Sequence, residues 1–112
     1  MTFFLGWKGG CWTPPTVQAM TYMADHCPEN FIWNTSVMDP VHQWKVLSTA
    51  INLGGHIRIG MEDNPFIAAG EYARSTPTWS TRSCASRAIS VARVATVEEA
   101  RKIAAIPKNG MH

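Results

Sequence analysis

The sequence predicts an α/β fold built on a parallel sheet, and two observations predict it. Short apolar runs rich in β-branched or aromatic residues alternate with longer stretches of helical periodicity, and the runs recur at a near-regular spacing. The strand-like runs are residues 2–5, 31–37 and 56–61. Between the first two, Pro14 and Pro15 suit the first turn of a helix, Val17, Met20, Met23 and Ala24 recur at helical spacing, and Pro28 blocks continuation. Between the second and third, Val41, Trp44, Leu47, Ala50 and Ile51 form another apolar stripe, closed by Gly54 and Gly55. Near the end, Thr96 and Glu99 have capping-box spacing, and a helix is expected from there to about Ile106, stopped by Pro107.

Strands alternating with helices of this length imply right-handed crossovers between parallel strands. Strand centres near residues 4, 34 and 58 recur at about the 30 residues per unit that result from dividing about 250 residues among eight βα units. Three βα units and a terminal helix of a (β/α)8 barrel fit this spacing, and so does a small doubly wound sheet.

The 112 residues fit one domain, and 46% hydrophobic with 16% charged residues describes an ordered globular chain. No apolar run reaches the roughly 18 residues of a membrane span, so a membrane role is not expected and the cytoplasm is the expected location. Cys11, Cys27 and Cys84 form an odd set without a close pair and read as ordinary thiols. The net charge is +2, yet Arg74, Arg82, Arg87 and Arg93 alone exceed it, and no acidic residue lies between Tyr72 and Val97. One anomalous basic segment does not make a nucleic-acid surface.

The chemistry concentrates in the segment Gly54-Gly55-His56-Ile57-Arg58-Ile59-Gly60-Met61-Glu62-Asp63-Asn64-Pro65. In a strand, Arg58, Gly60 and Glu62 share one face while Ile57, Ile59 and Met61 share the other. The second face suits helix packing. The first carries a cation and a carboxylate where a covered sheet is ordinarily apolar, at the strand's C-terminal end, where α/β barrels place their active sites. Burying Arg58 and Glu62 unpaired would cost several kcal/mol, so they are expected to be paired, hydrated or metal-bound. Glu62 beside Asp63 fits a metal ligand next to a base, and equally an acidic loop or a structural ion network at a rim.

The run from Gly54 to Asn64 resembles the G-G-H-V-R-V-G-x-E-D-N signature of the β-keto acid cleavage enzymes. Phe4-Leu5-Gly6 with Gly9-Gly10, the strand around Trp33, Gly70-Glu71-Tyr72-Ala73-Arg74-Ser75, and Val94-Ala95-Thr96 with Glu98-Glu99-Ala100-Arg101 extend the resemblance over nearly the whole chain. It implies the C-terminal part of a (β/α)8 barrel and a zinc enzyme that converts a β-keto acid and acetyl-CoA into acetoacetate and a new CoA ester. By motif position, it makes Glu62 the carboxylate zinc ligand, Asp63 the acid/base residue, and Arg58 the group that holds and polarises Asp63. Homo-oligomers are expected of the full-length family. The resemblance also implies two zinc-binding histidines in an H-x-H pair near the N-terminus of the family, which this chain does not supply. His26 and His42 are expected near helix ends, His56 opens a strand and His112 is terminal. On this reading residues 1–112 are a fragment lacking most of the active site.

Between Ser75 and Val94 the resemblance lapses and then resumes at the same spacing. The family places an amphipathic helix there, whereas residues 76–84 carry Pro77 and too little helical periodicity to predict one. Codons AAC GCC GAC CTG GTC GAC encode Asn-Ala-Asp-Leu-Val-Asp, a start typical of that helix. Read one nucleotide late, they give the Thr-Pro-Thr-Trp-Ser-Thr of residues 76–81. A compensated frameshift over residues 76–93 is therefore expected, the alternative being a divergent loop. Three functional readings follow: part of a zinc-dependent acyl-transferring lyase, a non-catalytic remnant, or a small α/β binding module. Three strands of an opened barrel would expose sheet edges and apolar surface, predicting self-association for the first two.

Overall fold

The computed structural model of the chain describes residues 1–87 and 93–106. Three parallel strands form its sheet in the order β1 (Thr2–Leu5), β2 (Asn34–Val37), β3 (His56–Ile57). Helix α1 (Val17–Asp25) joins β1 to β2, and helix α2 (Gln43–Asn52) joins β2 to β3. The register runs from Thr2 opposite Asn34 to Leu5 opposite Val37, and Asn34 and Thr35 face His56 and Ile57 on the other side. The predicted β-α-β-α-β order is therefore present, with a parallel sheet.

Strand alternation sends Leu5, Trp33 and Val37 to one face, where they meet Met20 from α1 and Val46, Leu47 and Ala50 from α2 in a single buried cluster. Both helices lie against that cluster and touch each other. The stripe expected on α1 is confirmed at Met20, Met23 and Ala24, but the two prolines precede the helix. Thr16 is the cap, its Oγ1 accepting from the Ala19 amide at 3.1 Å, and Pro15 is buried just ahead of it. On α2 the expected core position Val41 is instead 65% exposed, because it lies in the turn before the helix.

Two strands are shorter than their apolar runs. Pairing at β2 begins only where neighbours lie alongside: Asn34 donates to the Met1 carbonyl at 2.9 Å and His56 to the Trp33 carbonyl at 2.9 Å, leaving Phe31 and Ile32 exposed. Strand β3 ends at Ile57, although the Arg58 amide still donates to the Thr35 carbonyl at 2.8 Å. The chain then turns, with the amides of Asp63 and Asn64 both directed to the Gly60 carbonyl. Glu62 thus sits in a turn rather than on a strand face.

The end of α2 shows why the chain carries Gly54-Gly55. Gly54 adopts φ 85° and donates to the Ile51 carbonyl, and Gly55 donates to the Ala50 carbonyl, the two bonds of a Schellman termination. At Gly55 a Cβ would come within 2.2 Å of the Trp33 ring, so the indole packs directly against bare backbone.

A short antiparallel hairpin absent from the sequence-based expectation follows, β4 (Phe66–Ala68) and β5 (Glu71–Tyr72), turning at Gly70 with φ 76°. Residues 76–87 form helix α3 (Thr76–Arg87), against the expectation that this stretch lacks a helix. Pro77 stands in the first turn, where its missing amide hydrogen costs nothing. Trp79 supplies the anchor: it is fully buried with Ile67 and Ala73, its ring 5.6 Å from that of Trp44. On this helix Trp79 Nε1 and Ser83 Oγ are buried without a hydrogen-bond partner, as Asn34 Oδ1 and Ser36 Oγ are on β2.

Helix α4 (Val97–Ile103) begins with the predicted capping box: Thr96 Oγ1 accepts from the Glu99 amide, and Glu99 Oε2 accepts from the Thr96 amide at 2.8 Å. It ends before the predicted Ile106, with Ala104 as its cap. Pro107, His112 and residues 88–92 lie outside the described residues. No helix among the described residues is long and apolar enough to cross a membrane.

Two outcomes are expected in unfolding experiments. In urea titrations, Gly55→Ala loses about 1–3 kcal/mol through overpacking against Trp33, whereas Gly54→Ala, with open space around its Cβ, loses only about 1 kcal/mol from its left-handed backbone. Glu99 is held at about 2, below its ordinary 4.5, first by the Arg93 guanidinium and then by the Thr96 amide and hydroxyl. A carboxylate more acidic in the folded state stabilises fully above its unfolded value and loses that contribution as the pH falls through its folded value. Amide exchange at Ala100, whose N–H donates to the Thr96 carbonyl, should therefore accelerate as the pH drops from 4.5 toward 2, after correction for the intrinsic rate, and Glu99→Gln should abolish that step.

Candidate functional site

The face of the sheet opposite the helices carries Phe4 on β1, Ser36 on β2 and Arg58 just beyond β3. Phe4 is in register with Ser36, and extending the β2–β3 register by one residue sets Arg58 beside Ser36. The Arg58 guanidinium carbon stands 5.5 Å from the centroid of the Phe4 ring, so the side chain reaches across β2 to β1. Ser36 lies beneath it, 1% exposed, its hydroxyl without a hydrogen-bond partner.

The turn after β3 brings both carboxylates back onto this arginine. Arg58 Nε lies 3.1 Å from Asp63 Oδ2, and Arg58 Nη2 lies 3.2 Å from Glu62 Oε2. The two differ in setting: the Asp63 side chain is 9% exposed and that of Glu62 is 87% exposed. One arginine fork therefore fixes an inward carboxylate with one nitrogen and tethers an outward carboxylate with another. All three residues singled out from the sequence meet at the C-terminal end of the sheet, although Glu62 and Asp63 arrive through a turn and not by strand alternation.

Asn64 and Gln43 hold that turn in place. Asn64 Nδ2 donates to Gln43 Oε1 at 3.0 Å, Gln43 Nε2 donates to the Phe66 carbonyl at 2.9 Å, and the Phe66 amide returns to Asn64 Oδ1 at 2.9 Å. Both side chains are almost wholly buried, which makes each bond costly to lose. Gln43 and Ser36 are the residues that sequence reasoning missed. A polar Ser36 inside a strand with buried Thr35 and Val37 was a usable signal. Gln43, the first residue of α2, looks like any polar helix start.

A second buried carboxylate ties the loops together. Asp39, 6% exposed, accepts from the Lys8 amide at 3.2 Å, linking the loop after β1 to the one after β2. Its other oxygen accepts from the amides of Val41 and His42 and lies 3.0 Å from His42 Nδ1. Burial pushes the carboxyl up, but the bonds from His42, Lys8 and Val41 outweigh it and hold Asp39 below its ordinary value. His26 caps α1, its Nδ1 2.8 Å from the Tyr22 carbonyl, and His56 opens β3 at the far end of the sheet. Among the described residues no three His, Cys, Asp or Glu side chains come together, and a catalytic zinc takes about three protein ligands. The donors of this chain by themselves do not fit a zinc site.

One arginine and two carboxylates thus meet at the carboxyl end of a parallel sheet, and comparison places the chain in a family. Residues 1–106 match the model of the beta-keto acid cleavage enzyme family, and the chain belongs to that family. It is 32% identical over 94 residues to the 3-keto-5-aminohexanoate cleavage enzyme of Fusobacterium nucleatum subsp. nucleatum, covering 80% of this chain and 32% of that protein. It is 30% identical over 111 residues to the enzyme of the same name from Acetoanaerobium sticklandii, covering 95% of this chain and 38% of that one. The chain thus spans about a third of the length of these relatives.

Gln43→Leu should destabilise the chain by about 1–3 kcal/mol, the usual cost of leaving a buried partner unsatisfied. Hydrogen exchange locates the effect: the Phe66 amide loses protection while the Arg58 amide, bonded within the sheet to Thr35, keeps its own.

Proposed function

We propose that the chain is part of a zinc-dependent β-keto acid cleavage enzyme that converts a β-keto acid and acetyl-CoA into acetoacetate and an acyl-CoA, and that it carries the proton-transfer end of the site. The observation that carries this reading is the Arg58–Asp63 pair at the C-terminal rim, within the segment that matches the family signature. Sequential parallel strands with α1 and α2 on one face support a segment of a (β/α)8 barrel, whose remaining units come from outside these residues.

In this reading Asp63 takes and returns a proton at carbon. Arg58 Nε pairs with Asp63 Oδ2 at 3.1 Å and holds the carboxylate at the strand end. Arg58 is a positioning residue, braced by the Phe4 ring on one side and Glu62 on the other. Glu62 would be one zinc ligand, the others coming from outside these residues, and zinc would supply Lewis-acid polarisation of the ketone. The working protein is cytoplasmic and a homo-oligomer. The weak amphipathicity of α3 supports a compensated frameshift over residues 76–93, and with it a second reading of this chain as a non-catalytic remnant.

Complementation tests the proposal. The 112-residue chain is mixed with the first two thirds of the Fusobacterium relative, and acetoacetate release is measured from a β-keto acid and acetyl-CoA with zinc present. Activity above that of either piece is expected, and Asp63→Asn should lower it about 10²–10⁴-fold, the usual weight of a general acid/base. If the relative's own C-terminal third restores activity and this chain does not, the remnant reading stands in its place.

A further inference from the structure

Of the buried polar atoms without a hydrogen-bond partner among the described residues, Ser36 Oγ and Trp79 Nε1 belong to residues that line the same small cavity. Ser36 borders it from β2 and Trp79 from α3, Gln43 and Asn64 close it from α2 and the turn after β3, and Arg58 and Asp63 complete its wall. The cavity measures about 10 Å³. That is about the space one water molecule occupies, and far below the roughly 300–1,000 Å³ of sites for organic ligands.

The two groups are enclosed by this chain itself. Ser36, Gln43 and Trp79 are each 1% exposed, covered by residues already present, so a partner for the hydroxyl and the indole has to lie inside the cavity rather than beyond the surface. A buried donor or acceptor left dry carries its full desolvation cost, and internal waters are the usual remedy where a polar cavity has room for one.

The hydrogen-bonding roles narrow the occupant to one chemistry. The indole N–H can only donate, an ionised Asp63 carboxylate can only accept, and the Ser36 hydroxyl can do either. Gln43 and Asn64 are engaged with each other and with Phe66: Gln43 Oε1 accepts from Asn64 Nδ2, and Asn64 Oδ1 accepts from the Phe66 amide. A cation would face both the indole donor and the Arg58 guanidinium, which repel it. A water meets every demand, its oxygen accepting from Trp79 while its hydrogens go to Ser36 and Asp63. Three partners is the usual number for an internal water.

We propose that one internal water bridges Trp79 Nε1, Ser36 Oγ and the Asp63 carboxylate, and that Ser36 and Trp79 position Asp63 through it. The carboxylate is then held from two sides, by Arg58 Nε at 3.1 Å and by the water on the buried side. The assignment concerns this chain's own residues and does not need the enzyme reading. Within that reading it adds two positioning residues to the Arg58–Asp63 pair.

The test is NMR of the 112-residue chain, measuring magnetisation transfer from water to the Trp79 indole N–H and hydrogen exchange at the Arg58 Nε–H. The parent chain should show a cross-peak at the indole with the sign given by a long-lived internal water. Ser36→Ala keeps the space and removes the hydroxyl, so the cross-peak should persist, which excludes relay through the hydroxyl proton. Ser36→Val fills the space, so the cross-peak should vanish and the Arg58 Nε–H should exchange about tenfold faster, the size of effect that one lost hydrogen bond produces. The Arg58 amide, bonded to the Thr35 carbonyl, is the fold control and should keep its protection. Should Ser36→Val fail to fold, Trp79→Phe removes the indole donor without touching the sheet and should likewise speed exchange at the Arg58 Nε–H while the Arg58 amide stays protected. A parent chain without the long-lived cross-peak, or a cross-peak lost in Ser36→Ala, overturns the water. An Arg58 Nε–H that exchanges at the parent rate in the folded variants overturns the positioning role. Neither outcome bears on the complementation experiment, so the enzyme reading stands or falls separately.

Discussion

The parallel pairing of β2 with a neighbour on each side is the constraint on which the rest of the molecule depends. Thr35 shows it most directly: its hydroxyl donates to the Phe3 carbonyl of β1 at 3.1 Å, while its own carbonyl accepts from the Arg58 amide. This one residue ties both outer strands together, and it is fully buried, so no water competes for either bond. Parallel strands cannot be joined by tight turns, so α1 and α2 are obligatory crossovers. Their apolar stripes then have one place to go, the face carrying Leu5, Trp33 and Val37.

The opposite face is left free for chemistry, and a chain of ties keeps it ordered. Asp39 joins the first two loops, Gln43 and Asn64 join α2 to the turn after β3, and Arg58 gathers the carboxylates of that turn across the strand end. Most of these ties end on backbone groups or buried amides, so the loops are fastened without belonging to the sheet. The side chains that hold the loops are buried, while Arg58 and Glu62 meet solvent and pair with each other, Arg58 lying over the Phe4 ring.

Helix α3 departs from the pattern of its own sequence. Its first turn tolerates Pro77 and its indole fills a space between Trp44, Ile67 and Ala73, yet two buried polar atoms on it have no partner. Tertiary space, not sequence preference, makes it helical. A single large ring buried at one position outweighs a stretch with little apolar periodicity, because burying an aromatic side chain is worth more than the propensity differences along a short helix.

The amino-acid sequence by itself determined the order of the elements around the sheet, the faces of α1 and α2 that meet it, the capping box at Thr96 and Glu99, and the family. These follow from periodicity and from local hydrogen bonds between residues a few positions apart, which are written along the chain. The signature also marked Arg58, Glu62 and Asp63 together, without showing how they meet. What only the tertiary structure decided depends on partners distant in sequence. Strand ends are set by where a neighbour begins, so β2 starts at Asn34 and β3 stops at Ile57 in spite of longer apolar runs. The Gln43–Asn64 bond spans 21 residues, and the placing of Ser36 under Arg58 needs the register of two strands. No periodicity records such pairings, because they are properties of the packed chain and not of any local stretch of it.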